Sequence, residues 1–266
     1  MTIFKKTLCP LTRLGVLRFT GRDVRAFLQG QITLDVDRID DQLRLAGYCD
    51  PAGKLLATWL LFEHSGAIFA LTAKDNLDFL SRRLRLYTLR REVSVESEEK
   101  WLIYGTTECE ENPSDLFFTL PFGGLLLSQT SLETPMAEDS WWEASAKALF
   151  PWVFSSTKAR FIAQSLNLDL LDAVTWNKGC YVGQEIISRI HSIGKPSRRM
   201  ALYERSPSGF QVGGDLKNSK QDVAASLVYA SGRACLAEVS VKETPNVLFS
   251  DAGETLSLVK TVNDNK

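Results

Sequence analysis

The chain has 266 residues, of which 44% are hydrophobic and 24% are charged. This length and composition are typical of a globular protein with more than one packed unit, and they exclude an intrinsically disordered chain. The formal net charge is −1, so the protein has no general positive field that would draw in nucleic acid.

The cysteine and histidine content limits the metal chemistry that one chain could support. Five cysteines are scattered without a C-x-x-C pair, and the chain has two histidines. This pattern argues against a disulfide framework and against a closed zinc or cluster site. We therefore expect no stably bound metal.

The hydropathy pattern predicts a cytoplasmic protein that has no membrane partner. Residues 1–17 lack the apolar core and cleavage site of a secretory signal. The longest apolar runs, such as residues 59–62 and 124–127, are far too short to cross a bilayer.

The first hundred residues alternate between strand and helix periodicity. A capping box of Thr72 and Asp75 predicts the start of a helix whose apolar stripe ends near Tyr87. The other predicted elements are a strand at 16–20, a helix at 23–29 that Gly30 ends, a hairpin of strands 43–49 and 55–62 with its turn at 50–53, and strands at 67–71 and 93–95.

The second half of the chain passes from mixed elements to strands alone. Residues 108–115 are acidic and predict a loop, and the short β runs after Met200 predict a small barrel. The other predicted elements are strands around the turn in 116–127, helices at 141–148 and 156–165, a short strand at 174–176, and barrel strands at 224–228, 234–241 and 255–259. The fold class is therefore α+β.

Residues 178–185, with the sequence KGCYVGQE, have the composition of a reactive site. They place the thiol of Cys180 between two glycines and close to an amide, a carboxylate and a phenol. The residues that follow predict a helix from Gln184. Because a helix N-terminus favours negative charge, we expect the thiolate of Cys180 to form readily, with Lys178 as a nearby cation. The alternative is a small buried cysteine in a turn.

This octapeptide resembles the K-G-C-Y-x-G-Q-E signature of the YgfZ family, which comprises folate-binding proteins related to the glycine cleavage T-protein and to a mitochondrial iron–sulfur assembly factor. Residues 27–36 are similar to the family's F-L-Q-G-Q-x-T-x-D-V, and residues 49–54 to its C-D-x-x-G-K/R. Four residues continue the signature downstream: Arg189, His191, Gly194 and Arg199.

The resemblance implies a T-protein-like, three-lobed ring around a central folate cavity, with a small C-terminal β-barrel. The lobes would be an N-terminal α+β folate-binding lobe at 1–110, a second α+β lobe with the octapeptide at 111–195, and the barrel at 196–266. Tetrahydrofolate would be the ligand, and we expect a monomer.

The resemblance also implies which residues would bind folate, with Cys180 as the key thiol. Trp141 would stack on the pterin, although it could equally be a core tryptophan on an amphipathic helix; Leu14 stands where the family has a second tryptophan. Glu185 could instead be a first-turn helix carboxylate, and Gln29 a surface residue at a helix end. The expected contacts are Gln29, Gln31, Lys178, Tyr181, Gln184, Glu185 and Arg189.

The sequence departs from the T-protein at two positions that carry its transfer chemistry. Ala57 and Thr58 follow the turn where the T-protein has an aspartate tied to aminomethyl transfer, and Lys147 replaces a glutamate at the pterin edge. The sequence then offers no evident side chain to carry the proton during transfer to tetrahydrofolate.

Three functions follow from the resemblance. The first is a protein that supports the assembly or repair of iron–sulfur enzymes, including those that thiolate tRNA, with these enzymes as client proteins. The second is a tetrahydrofolate-dependent one-carbon transferase, and the third is a folate-sensing module in which Cys180 is structural. Direct contact with tRNA is not expected, because the arginines of residues 82–91 fit a solvated helix face better than an RNA track.

Overall fold

The computed structural model describes residues 8–108 and 116–262. The α-helices in this part are α1 (Val24–Gln29), α2 (Leu77–Arg85), α3 (Glu138–Lys147) and α4 (Gln184–Ile193). The strands are β1 (Leu8–Pro10), β2 (Leu14–Thr20), β3 (Arg44–Cys49), β4 (Leu55–His64), β5 (Ala67–Ala73), β6 (Ser94–Glu98), β7 (Leu102–Thr106), β8 (Phe117–Leu120), β9 (Gly123–Ser128), β10 (Arg198–Val212), β11 (Asp215–Lys217), β12 (Val223–Ser240), β13 (Val247–Phe249) and β14 (Thr255–Lys260). Over these ranges, no helix is long and apolar enough to span a membrane.

The first sheet has the order β3-β4-β5-β2-β6, and its neighbouring strands are antiparallel. Helices α1 and α2 cover one face, where Phe27 and Leu84 join Phe19 and Trp59 in one buried cluster. The predicted hairpin and both predicted helices of this region are confirmed.

The predicted capping box before α2 is wrong. Thr72 is fully buried in β5, and its hydroxyl donates to the backbone carbonyl of Thr58 across the sheet. Asp75 instead accepts from the backbone N–H of Ser155. A hydroxyl that already has a tertiary partner is not free to cap a helix.

The second sheet has the order β1-β7-β9-β8. Strand β1 lies before the first sheet in the chain, yet it pairs with β7, with Leu8 opposite Thr106. Helix α3 packs against this sheet through Trp141, whose indole N–H donates to the carbonyl of Gly124 over 3.2 Å. Residues 109–115, which fall within the predicted acidic loop, lie outside the described part of the chain.

The C-terminal strands close a barrel in the order β10-β12-β11-β13-β14, which confirms the predicted barrel. The predicted strands at 224–228 and 234–241 belong almost entirely to one strand of 18 residues, β12. Strand β10 was not predicted, because its second half is mostly exposed and polar and its pairing with β12 is interrupted by register shifts. Local periodicity is weak in such a strand.

Two further predicted elements of the second lobe are wrong. The helix at 156–165 is replaced by two short 3-10 turns, Ser155–Thr157 and Ala163–Leu166. Between them the chain bonds to the start of β4, where Leu55 donates to Phe161 and accepts from Ala159. The strand at 174–176 forms no ladder and makes a single backbone bond, from Thr175 to Thr33.

One buried cluster joins both sheets, α3 and the barrel. The ring of Phe62 on β4 lies 4.8 Å from that of Phe118 on β8. Trp142 on α3 lies 5.9 Å from Tyr229 on β12. Aromatic contacts therefore connect the two sheets and the barrel within this cluster, and buried aromatic side chains contribute strongly to core stability.

We predict that Gly105→Ala destabilises the fold, because a Cβ atom there would lie 2.4 Å from Cδ1 of Trp141. Overpacking of this kind costs about 1–3 kcal/mol. Urea denaturation should show the loss in free energy of unfolding. Gly209→Ala is the matched control, since no heavy atom lies within 4 Å of its added Cβ. Equal midpoints for the two variants would refute this account of the interior.

Candidate functional site

The octapeptide packs directly on the turn of the β3–β4 hairpin. Gly183 is the N-cap of α4 and has a φ of 85°, a left-handed conformation that favours glycine. A Cβ atom on Gly183 would lie 2.6 Å from the carbonyl oxygen of Asp50. On the other side, a Cβ atom on Gly53 would lie 3.1 Å from Cβ of Ile186. Two of the sequence motifs therefore meet backbone to backbone, with glycine required on both sides.

Lys178 joins the octapeptide to the third motif, at the end of α1. Its ammonium group donates to the backbone carbonyls of Gln29, Ile32 and Leu34 over 2.9, 2.8 and 2.7 Å. Burial lowers the pKa of Lys178 to about 8, and the carboxylate of Asp35 opposes this change. With three N–H donors and three acceptors, the ammonium group is fully used inside the protein. Lys178 therefore holds the backbone of 29–34.

Cys180 lies on the surface of the loop that Lys178 anchors. It is the exposed thiol among the described cysteines, whereas Cys9, Cys49 and Cys235 are buried. Burial raises the pKa of Cys9 and of Cys235 to about 12, and it raises the pKa of Cys49 as well. Helix α4 begins at Gln184, as predicted, so Cys180 precedes the first turn of that helix.

The two glutamines of the N-terminal motif have different environments. The side-chain amide of Gln29 donates to Asp35 and accepts from the backbone N–H of Val36, over 3.1 and 2.9 Å. Gln29 thus shapes its own loop. Gln31 is 8% exposed, and its Oε1 atom has no hydrogen-bond partner in the described part of the chain. Such a buried acceptor is costly unless a donor reaches it.

The remaining octapeptide residues differ in burial. Tyr181 is buried, its ring lies 5.0 Å from the Lys178 ammonium, and burial raises the pKa of its hydroxyl. Glu185 and Arg189 are exposed along α4, and Gln184 is partly buried at its first turn. The octapeptide side chains therefore differ in how accessible they are to a ligand.

A stacked aromatic pair flanks the octapeptide and was not predicted as a unit. The rings of Trp176 and His191 lie 3.7 Å apart with an interplanar angle of 12°. Trp176 is 36% exposed. His191, which continues the family signature, therefore lies against Trp176. The signal in the sequence was a tryptophan two residues before a glycine-rich motif.

Trp141 lies in the core rather than on a cavity wall. Its side chain is 0% exposed and contacts the rings of Phe122 and Trp142 at 5.2 Å. This is the alternative position that the sequence left open, and it leaves no indole face for a pterin in this conformation. Lys147, at the end of the same helix, pairs with Glu143 over 2.6 Å and is largely exposed.

The positions of the transferase carboxylate are also closed. Ala57 and Thr58 are 0% and 1% exposed. The hydroxyl of Thr58 accepts from the backbone N–H of Val153 over 3.2 Å. Neither Ala57 nor Thr58 carries the carboxylate that the T-protein has at this place.

We predict that Cys180 reacts first with limiting iodoacetamide at neutral pH. The other described thiols are shielded and their high pKa values disfavour the thiolate, which is the nucleophile. Peptide mass mapping gives the order of labelling. Cys109 lies outside the described residues, so the test protein carries Cys109→Ser. Labelling of Cys9 or Cys235 ahead of Cys180 in the folded protein would contradict the assignment.

The chain is similar to several bacterial proteins over most of its length. No family model matches the chain. A "tRNA-modifying protein YgfZ" from Hamiltonella defensa is 30% identical in an alignment that covers 74% of this chain and 69% of that protein. The protein of the same name from Photobacterium profundum is 26% identical in an alignment that covers 86% of this chain and 82% of that protein. An uncharacterized protein from Haemophilus influenzae is 32% identical over 202 residues, which cover 73% and 72%.

Among solved structures, the chain resembles the glycine cleavage system aminomethyltransferase T from Bartonella henselae. The TM-score is 0.69 at 13% sequence identity, covering 95% of this chain and 84% of that protein. At this identity the likeness shows the fold alone, which is the T-protein fold expected from the motifs. The identity and coverage of the bacterial relatives establish that the chain belongs to the YgfZ family.

Proposed function

We propose that this protein supports the assembly or repair of iron–sulfur enzymes, including those that thiolate tRNA, through the thiol of Cys180. The observation that carries the proposal is the exposure of Cys180 on a loop that is tied to two other motifs. The names of two relatives, both called tRNA-modifying proteins, support a role connected with tRNA modification. The exposed thiol of Cys180 has no structural role that would explain why its loop is held by the Lys178 hydrogen bonds and by the close contacts at Gly53 and Gly183.

The chemistry suits a transient contact. A thiolate is both a nucleophile and a soft ligand for iron. In residues 8–108 and 116–262, no three His, Cys, Asp or Glu side chains group in a way that could hold a metal ion. A single thiol cannot hold a cluster by itself, so the client enzyme would supply the other ligands. The protein then acts on a cluster that belongs to another chain.

Reduced folate is the ligand that we propose for the same protein. The T-protein-like fold supports it, and the unpartnered acceptor of Gln31 matches the N–H donors on a pterin edge. Trp141 does not support it, because its indole is closed inside the core. Gln31, rather than the indole, is therefore the residue through which we would expect folate binding to respond.

One-carbon transfer is less well supported by the same structure. Transfer to tetrahydrofolate needs a proton carrier beside the pterin. Ala57 and Thr58, where the T-protein has its aspartate, are both buried, and Lys147, where it has a glutamate, forms an ion pair with Glu143 at the surface. We therefore do not propose glycine cleavage for this chain.

We predict that Cys180→Ser fails to complement a deletion of the gene, while the folded variant still binds tetrahydrofolate. Serine keeps the shape of the side chain but cannot serve as a thiolate. An iron–sulfur enzyme assay and tRNA methylthiolation measure complementation, and calorimetric titration measures binding. Gln31→Leu should lose affinity for tetrahydrofolate.

Cys235→Ala is the matched control, because it also removes a thiol but from inside the barrel, at 0% exposure. It should complement the deletion as long as it is expressed at wild-type levels. Full rescue by Cys180→Ser would refute the thiol mechanism. An absence of tetrahydrofolate binding to the wild-type protein would refute the folate assignment and leave the thiol proposal standing.

A further inference from the structure

A cavity of about 410 Å³ lies between the first and second sheets, and its lining includes no residue of the octapeptide. Arg18 on β2, His64 at the end of β4 and Lys100 before β7 provide its basic groups. Phe69 and Trp101 provide its apolar wall, and their ring centroids are 4.6 Å apart. The cavity combines positive charge with aromatic surface.

Arg18 is the unusual member of this lining. Its side chain is partly buried, and its Nε atom is shielded from solvent without any hydrogen-bond partner in the described part of the chain. Its cross-strand neighbours are Phe69 on β5 and Glu96 on β6. Glu96 accepts from the hydroxyl of Ser94 instead of pairing with Arg18. A shielded guanidinium donor without an acceptor is costly, and an anion would offset that cost.

The other lining groups favour an anion as well. Lys100 contributes a second cation, and its side chain, which is about half exposed, makes a long contact of 3.5 Å with Glu98. No carboxylate is among the described residues that line the cavity. The polar residues of the lining are Ser65, Ser128 and Gln129. Hydroxyl and amide groups can donate to a bound oxyanion.

We propose that this cavity binds a small organic anion, whose phosphate or carboxylate group pairs with Arg18 and whose apolar body packs on Phe69 and Trp101. Arginine binds both head groups through its planar set of donors. The volume is within the range of small-molecule sites. This site goes beyond the proposed function, because it involves neither Cys180 nor Gln31.

Calorimetric titration of the full chain tests the site with three probes of similar size: phenyl phosphate, benzoate and benzylamine. We expect saturable binding of phenyl phosphate or of benzoate, whichever head group the cavity accepts, and no binding of the benzylamine cation. Arg18→Met should weaken binding at least about tenfold, since it removes a charge-assisted hydrogen bond. Cys180→Ser should bind with wild-type affinity.

Arg22→Met is the matched control. Its side chain is 76% exposed and pairs with Glu92 at the surface, so its loss should leave the affinity unchanged. If Arg18→Met does not fold, as judged by circular dichroism, Lys100→Met takes its place and should weaken binding of the same anion. The proposal is overturned if neither anion binds the wild-type protein, if benzylamine binds equally well, or if the folded cavity variant keeps full affinity.

Discussion

The three hydrogen bonds from the Lys178 ammonium group are the interaction on which the candidate site depends. They connect a loop of the second lobe to three carbonyls at the end of α1, about 145 residues earlier in the chain. Hydrogen bonds to a charged group contribute about 1.5–3 kcal/mol each. Burial of the ammonium group opposes part of that gain, as the lowered pKa of about 8 indicates. The net effect fixes the register of the octapeptide against the N-terminal motif.

Two glycines allow the close packing that holds the octapeptide on the hairpin turn. Gly183 allows α4 to start directly on the carbonyl of Asp50, and Gly53 allows the hairpin turn to approach Ile186. From the far side, the amide of Gln164 donates to the carbonyl of Ile187 over 2.6 Å and ties α4 to the core. Cys180 is thus exposed on a loop whose neighbours on both sides are held. An exposed side chain on a fixed backbone can meet a partner protein without first being ordered.

The sequence was most informative where local pattern and motif agreed. The hairpin of β3 and β4, helices α1 and α2 and the start of α4 at Gln184 followed from periodicity and glycine positions. The short β runs after Met200 correctly predicted the barrel. The family signature correctly indicated the T-protein fold, which periodicity alone would not have identified.

The sequence was least informative where tertiary contacts override local pattern. Thr72 looked like a cap but bonds across a sheet, and residues 156–165 looked helical but pair with the start of β4. Trp141 is the clearest case, because a core tryptophan and a stacking tryptophan have the same helical spacing. Lys178 was predicted to assist the thiol or a ligand, yet it bonds to the backbone. No spacing in the sequence indicates which acceptors a lysine will reach.

Hydrogen exchange in Lys178→Met tests the central claim most directly. Two backbone bonds, from Thr175 to Thr33 and from Val182 to Gly30, link the same segments as the lysine. We predict that the amides of Thr175 and Val182 exchange at least about tenfold faster in Lys178→Met, while Lys195→Met, at an exposed position after α4, leaves them unchanged. Unchanged exchange at both amides in a folded Lys178→Met protein would show that the lysine does not hold the motifs together.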